Sequence, residues 1–471
     1  MIERRIFLAA AASAGAVPLL HGTVAMADDP SPPPTCTPFA VTPPTTATPV
    51  KWTRPADTVM APRRAAWELD DSDVTRLRNA YAKMRALPAT DGRSLAAQRN
   101  LHAYFCNGGD ANEIHGHWTF LPWHRMFLYF HERILGALIG DPSLRLPYWD
   151  WETAAHSSPP PAYATPASAA NALYDATRFL KAGQSVQRWL TNRHTQAQRY
   201  YQLSLVHRLF DCTFAQFGGT PSSGGVVEAG SHGYVHVSCG GDATRYDPLT
   251  CSGDLAILNT AALDPIFFCH HANLDRLWKS WESMSGNANP SDPAWQNLAF
   301  TFFDEHGTWT EMTVKQLAPT DAQLGYRYDR PIGPLMSAMK STPVRRITLQ
   351  QNGQNAAPML GAAAAQAKNP ELALTDLVLP GDGDFRLSVR SSRGSKALAD
   401  FFVVPHGMGA TGAHATSFNV CVALPPDSVS ILLGANPQFT LQPSNAAPRG
   451  LTAGAAAGPV ARVGKVELVL R

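Results

Sequence analysis

Histidine is the residue whose types and spacing in this chain could do chemistry. His102, His115 and His124 lie within one stretch, HAYFCNGGDANEIHGHWTFLPWHRMFLYFHE, while His232 and His236 of HGYVH and His271 of DPIFFCHHANLDRLW form a second set. Imidazole ligands without carboxylates or several thiolates favour copper, zinc or iron over magnesium or calcium, and spacing alone does not choose among the three. A lone histidine is more often a surface or core group that satisfies itself. His117, His131, His156, His194, His207, His306, His406 and His414 are read that way, and the joint pattern sets the other six apart.

These side chains need elements to carry them. His102 sits in SLAAQRNLHAYF, a helical pattern, with Cys106 four residues on. His115 and His124 are nine apart, which on one continuous helix turns the face by about 180°, so both cannot reach one ion from it. Pro122 resolves this. A helix beginning near Pro122 carries His124 inward, with Phe127, Phe130, Ile134 and Leu138 as its packing stripe, and His115 approaches from the preceding loop. His232 and His236, four apart, share a face if helical. Asp264-Pro265 starts a further helix bearing His271, with Ile266, Leu274, Leu277 and Trp278 on its buried side.

The rest of the chain frames these stretches. Its 471 residues are 45% hydrophobic and 16% charged, enough for a large core and two domains, and a net charge of +2 without a basic block argues against nucleic acid as partner. Arg4-Arg5, the apolar run Ile6 to Leu20 and Ala25-Met26-Ala27 make residues 1–27 an export signal rather than a membrane span, and RRIFL resembles the twin-arginine pattern, so a periplasmic or secreted protein is expected. A Pro- and Thr-rich arm follows to Val50, then a helix on Val74, Leu77, Tyr81, Met84 and Leu87 with caps at Asp71-Ser72-Asp73. Asp292 to Leu317 reads as a hairpin turning at D-E-H-G. From about Ser341 short alternating segments (VRRITLQ, LALTDLVL, DFRLSVRS, ADFFVVPHG, TSFNVCVAL, KVELVLR) alternate with Gly, Pro and Asn, which predicts a C-terminal antiparallel β-sandwich, jelly-roll-like, over 371–471. The fold class is therefore α+β, with a helical part over 28–340 and a linker region over 341–370 in which the Ala-, Gln- and Gly-rich Gln351 to Pro370 invites proteolysis.

In order and spacing, HAYFC, HGHWTFLPWHR, LPYWDWE, HGYVH and DPIFFCHHANLDRLW resemble the tyrosinase and catechol oxidase family, nearest its plant-type polyphenol oxidases, from about Arg54 to Tyr328. The resemblance implies a four-helix bundle that holds two copper ions, one on His102, His115 and His124 and one on His232, His236 and His271. It implies a thioether between Cys106 and His115, and O2 as co-substrate for oxidising small phenols to o-quinones. His270, beside His271, is not the family's ligand. Glu228 matches the glutamate that orders a water to deprotonate phenols. Gly233 stands where monophenol-active members often carry Asn, which lowers the expected hydroxylase activity, and Leu258 stands where many plant enzymes place a Phe over the second copper, which opens the mouth. These cues oppose each other, so diphenol oxidation is the firm expectation. LGYRYD resembles a Tyr-x-Tyr marker that packs on an N-terminal Arg, here Arg54, and ADFFVVPHG resembles a C-terminal cover removed on activation, so a latent proenzyme and an activating protease are expected. Of the seven cysteines, two of Cys212, Cys239 and Cys251 are expected to pair, Cys269 is a buried thiol, and Cys36 departs from the plant pattern. An oxygen carrier, a dizinc hydrolase and a β-domain binding carbohydrate or a partner are the competing readings; catechol turnover and metal analysis separate the first two.

Overall fold

The computed structural model describes residues 41–108, 113–186, 206–241, 253–332, 345–349, 370–379, 383–404, 416–424, 426–443 and 462–470. The export-signal reading lies outside them, together with Cys36, Cys251, His194, His406 and His414, as does nearly all of the Gln351 to Pro370 stretch. The linker region itself begins later than residue 341, because Arg345–Thr348 is a strand paired with Lys465–Leu470.

Five helices surround the histidines. Helix α1 (Asp71–Ala86) is capped by Asp70, whose carboxylate accepts the Asp73 N–H at 2.9 Å, so the cap falls one residue before the expected trio. It packs on α3 with Leu77, Tyr81 and Met84 buried. Helix α2 (Leu95–Cys106) starts at Ser94, whose hydroxyl accepts the Ala97 N–H at 3.1 Å. Helix α3 (Phe120–Ile139) has Pro122 in its first turn, where the missing N–H has no intrahelical partner to lose. Every residue from Phe120 to Glu132 is buried, so α3 is a central rod rather than an amphipathic surface helix. Helix α4 (Gly233–Gly240) continues a π-helical turn over Glu228–His232, and α5 (Ile266–Glu282) begins where Asp264 accepts the Ile266 N–H at 3.0 Å.

One carboxylate ties these pieces together. Asp275 on α5 accepts from Arg125 Nε of α3 (2.5 Å), from Arg63 Nη1 (3.1 Å) and from the hydroxyls of Tyr326 and Tyr328 (both 2.6 Å). Arg63 also donates to Glu132 of α3 at 2.9 Å. The two tyrosines and Arg63 arrive together because β2 (Ala61–Arg63) pairs in parallel with β6 (Tyr326–Tyr328), Arg63 opposite Tyr328. This corrects the expectation for Arg54, which is exposed and donates to the Ala322 carbonyl at 2.8 Å. The guanidinium over the Tyr326 ring, 3.6 Å from its centroid, is that of Arg63. Arg54 lies outside any strand, whereas pairing with β6 carries Arg63 inward.

The expected hairpin forms from β4 (Ala299–Phe303) and β5 (Trp309–Thr313), with β1 (Val50–Lys51) parallel on its edge. The C-terminal segments form β7 (Arg345–Thr348), β8 (Glu371–Leu379), β9 (Gly383–Ser391), β10 (Gly394–Val403), β11 (Thr416–Ala423) and β13 (Lys465–Leu470). Sequence reasoning passed over helix α6 (Pro426–Leu432) and strand β12 (Gln438–Pro443). The strands pair as β10-β9-β12 and as a sheet ordered β3-β11-β8-β13-β7, whose edge strand β3 (Gly224–Gly225) comes from the histidine-bearing part of the chain. The pairing of β3 with β11 is parallel, unlike the others in that sheet. Fold content is thus mixed helix and sheet. Cys212 bonds to Cys421 and Cys239 is a buried free thiol, so neither partner considered for Cys212 within its own region is used.

Burial alone would raise the Asp275 carboxyl, but Arg125 and Arg63, followed by the two tyrosine hydroxyls, outweigh it and hold the group below the ordinary carboxylate range. The stability this brings is present at neutral pH and is lost only as pH falls through that depressed value. Truncating Asp275→Ala takes a shared partner from two buried cations, leaving Arg63 with the carboxylate of Glu132 and Arg125 with that of Glu282, and should cost about 3 kcal/mol in denaturant unfolding of the metal-free chain. Removing the exposed Lys396–Asp427 pair should cost at most about 1 kcal/mol.

Candidate dinuclear metal centre

The structure gathers the six expected histidines into two groups, His102 with His115 and His124, and His232 with His236 and His271, each offering three nitrogens within 4.8 Å of one another. His102 comes from α2, His124 from α3, His236 from α4 and His271 from α5, while His115 lies on the loop before α3 and His232 closes the π-helical turn. A π-turn adds one residue per loop of hydrogen bonding, which re-aims the side chains that leave it. The two groups adjoin: the His124 and His271 rings stack at 4.3 Å between centroids, and His115 and His232 are 5.8 Å apart.

Backbone carbonyls orient three of the rings. His102 Nδ1 meets the Leu258 carbonyl at 3.0 Å, His124 Nδ1 the Phe120 carbonyl at 2.7 Å, and His236 Nδ1 the Leu255 carbonyl at 2.6 Å. A carbonyl only accepts, so Nδ1 carries the proton in each and Nε2 keeps its lone pair for a metal. His124 Nε2, both ring nitrogens of His232 and His271 Nδ1 are buried without a hydrogen-bond partner among the described residues. Burial lowers the basicity of His102, His124, His232 and His271, and brings His236 down to about 3. Neutral imidazoles packed in the interior with lone pairs aimed at one another are the donor set a pair of soft-to-borderline metal ions requires. Among the described residues no carboxylate or thiolate belongs to either group.

The surroundings sort the other candidates. His270 is buried and accepts from Trp151 Nε1 at 3.2 Å, outside both groups. His131 stacks on Phe268 at 3.4 Å and shares a hydrogen bond with the Tyr81 hydroxyl at 3.1 Å, and His156 pairs with Asp150 at 2.6 Å. Both act as satisfied structural groups. Cys106 is buried at the end of α2 with Sγ 3.5 Å from His102 Nε2. Gly233 opens α4 in helical conformation and Leu258 is buried. Glu228, 6% exposed, accepts the Gly116 N–H at 2.7 Å on Oε1, and its Oε2 is buried without a partner among the described residues. Burial pushes its carboxyl up to about 8 against the opposing Gly116 bond. Sequence reasoning did not find the carbonyl anchors or the Gly116 contact, since neither leaves a side-chain signature.

An all-imidazole double triad in a helical interior defines a protein built for two metal ions and suited to copper. Comparison with known proteins then places the chain. The common central domain of tyrosinase matches residues 92–178 and 155–284, and the polyphenol oxidase middle domain matches 289–338. Polyphenol oxidase A1, chloroplastic, of Vicia faba is 33% identical over 63% of this chain and 51% of its own length. The polyphenol oxidase latent form, chloroplastic, of Prunus armeniaca is 29% identical over 69% of this chain and 60% of its own. The chain therefore spans about half to three fifths of the length of these relatives. A structure of latent aurone synthase (polyphenol oxidase), recombinantly expressed, superposes with a TM-score of 0.65 at 25% identity, covering 90% of this chain and 92% of that one. The chain belongs to the tyrosinase family, in its plant-type polyphenol oxidase branch.

A carboxyl raised by burial binds its proton more tightly folded than unfolded, so its contribution to stability falls as pH rises between the two values. In the metal-free protein, Glu228→Gln should therefore gain stability relative to the parent as pH rises from about 4.5 to about 8, levelling above that. The gain should be on the order of a few kcal/mol, read from unfolding curves across that range.

Proposed function

We propose that this chain is a copper-dependent phenol oxidase that couples oxidation of two o-diphenols to o-quinones with reduction of one O2 to two waters. The observation that carries the reading is the pair of abutting imidazole triads, whose Nε2 atoms are freed by carbonyls on Nδ1 in His102, His124 and His236. His102, His115 and His124 would hold one copper and His232, His236 and His271 the other. Bound copper would supply the redox chemistry between phenol and dioxygen.

The protein's own residues do the rest. The Phe120 ring, 4.7 Å from that of His232 and 4.6 Å from that of His124, helps to wall the triads in apolar surface that keeps bulk water out. Glu228 is the group for taking the phenol proton through one water, since a buried carboxyl with an uncommitted oxygen can both accept and return a proton near neutral pH. Gly233 offers no side chain to hold that water, which disfavours monophenols, whereas Leu258 puts no ring over the second site and leaves the mouth open; diphenol oxidation is the activity that neither feature opposes. A Cys106–His115 thioether would restrain the loop that carries His115.

Several features complete the reading. Helices α2, α3, α4 and α5 make a four-helix bundle within a catalytic domain over 28–340, the C-terminal strands over 371–471, joined by β7, make a β-sandwich that shields it, and the Gln351 to Pro370 stretch of the linker is where an activating protease cuts. Relatives described as latent support the shield. Arg4-Arg5, the apolar run behind them and the Ala-Met-Ala site support export, by the twin-arginine route.

Loading the metal-free protein with copper should restore about two ions per chain and turnover of catechol with oxygen uptake; copper binding without turnover would indicate an oxygen carrier instead. Glu228→Gln should depress monophenol hydroxylation by at least about tenfold while catechol oxidation falls less. Ending the chain after Lys340 should raise catechol activity, and equal activity in the full chain removes the shield from the account.

A further inference from the structure

The C-terminal strands meet the histidine-bearing part through β10, which packs on the π-helical turn and on α4, and through β11, which pairs with β3. On β11, Phe418 stands opposite Gly224 and Asn419 opposite Gly225, and Ser417 Oγ lies 3.2 Å from Ser223 Oγ. Glycine makes this approach possible. A Cβ on Gly224 would lie 2.7 Å from both Phe418 Cε1 and Glu228 Oε2, so the Phe418 ring and the unpartnered carboxylate oxygen meet over the same bare backbone. A Cβ on Gly116, next to His115 and at φ +70°, would lie 2.6 Å from Thr416 Cγ2. One strand thus covers both the Glu228 carboxyl and the His115 loop.

The same strand carries Cys421, bonded to Cys212 across 209 residues of chain. Cys212 is 2% and Cys421 3% exposed. The strands beyond β11 in this sheet, β8, β13 and β7, all come from beyond residue 340. Any cut between the two cysteines therefore severs the backbone while leaving the fragments covalently joined beside the site.

We propose that Cys212–Cys421 is a redox latch on the shield: once the linker is cut, β11 stays seated over Glu228 and the His115 loop until a dithiol reduces this bond. The step balances as thiol–disulfide exchange. A thiolate of the dithiol attacks one sulfur, the protein S–S bond breaks, the second thiol closes the reductant's own disulfide, and two protein thiols are left. Burial of both cysteines shields the sulfurs from attack while the backbone is whole. A cut frees one end of the shield so that β11 can lift transiently and expose the bond, and release then depends on two inputs, a backbone cut and a reductant. The latch rests on the reading of the C-terminal strands as a shield.

The test inserts a specific protease site after Ala364 in the full chain, in the parent and in Cys212→Ser/Cys421→Ser. After cutting, the parent should run as one species on a non-reducing denaturing gel and as two after dithiothreitol. On native gel filtration without reductant it should retain its C-terminal fragment, while the double serine variant sheds most of it and oxidises catechol several-fold faster than the cut parent. Two species without reductant in the parent, or equal retention in parent and variant, overturns the latch. If the serine variant does not fold, the cut parent is filtered before and after dithiothreitol, and retention after reduction overturns it equally. Fragment release as expected, with no catechol oxidation in either protein, leaves the latch standing and overturns the phenol oxidase reading.

Discussion

A single buried carboxylate holds the two histidine triads in register. Asp275 stands four residues beyond His271 on α5, and Arg125, which bonds to it, follows His124 on α3. Two guanidiniums and two phenol hydroxyls converge on this group from three other elements, and Arg125 also lies flat over the Trp278 ring at 3.5 Å. A charge in such a place is tolerable only when nearly all its lone pairs are used. That demand fixes the offset of α3 against α5, and hence the stacking of His124 on His271 where the triads meet. β2 and β6 take part as well, so the short segments at both ends of the helical region are fastened to its centre.

The site itself shows a division of labour between backbone and side chain. Carbonyls of Leu255, Leu258 and Phe120 set three tautomers before any metal arrives. Depressed basicity keeps the rings neutral, so metal binding does not have to displace protons from them at ordinary pH. Glu228 is treated in the opposite way, with burial favouring its neutral form and a lone N–H from Gly116 opposing this. Metal charge nearby would shift that balance towards the carboxylate. The Gly116 bond also joins the Glu228 carboxyl to the loop of His115, so the position of one bears on the other.

The C-terminal strands are not a separate body merely leaning on the first. A short parallel pairing, a disulfide and the close approach at Gly224 and Gly116 make β11 an integral wall of the site. Glycine at these points trades chain entropy for proximity. Both the cover and the covered residues are therefore legible as one interface.

Sequence by itself determined what depends on local pattern. The helices bearing His102, His124 and His271 follow from periodicity and caps, the hairpin of β4 and β5 from alternation about a turn, and six of the C-terminal strands from β-branched alternation; α6 and β12, short and weakly patterned, escaped. The six histidines stood out because metal binding needs several residues of one type together, and that leaves a trace in one dimension. Only the tertiary structure decided which distant groups meet. Arg63 rather than Arg54 reaches Tyr326, Cys212 finds Cys421 rather than a neighbour in sequence, and a strand from residues 224–225 joins the C-terminal sheet. Each of these contacts closes a loop of some two hundred residues or more, and its partner is chosen by how whole elements pack, which no local spacing records.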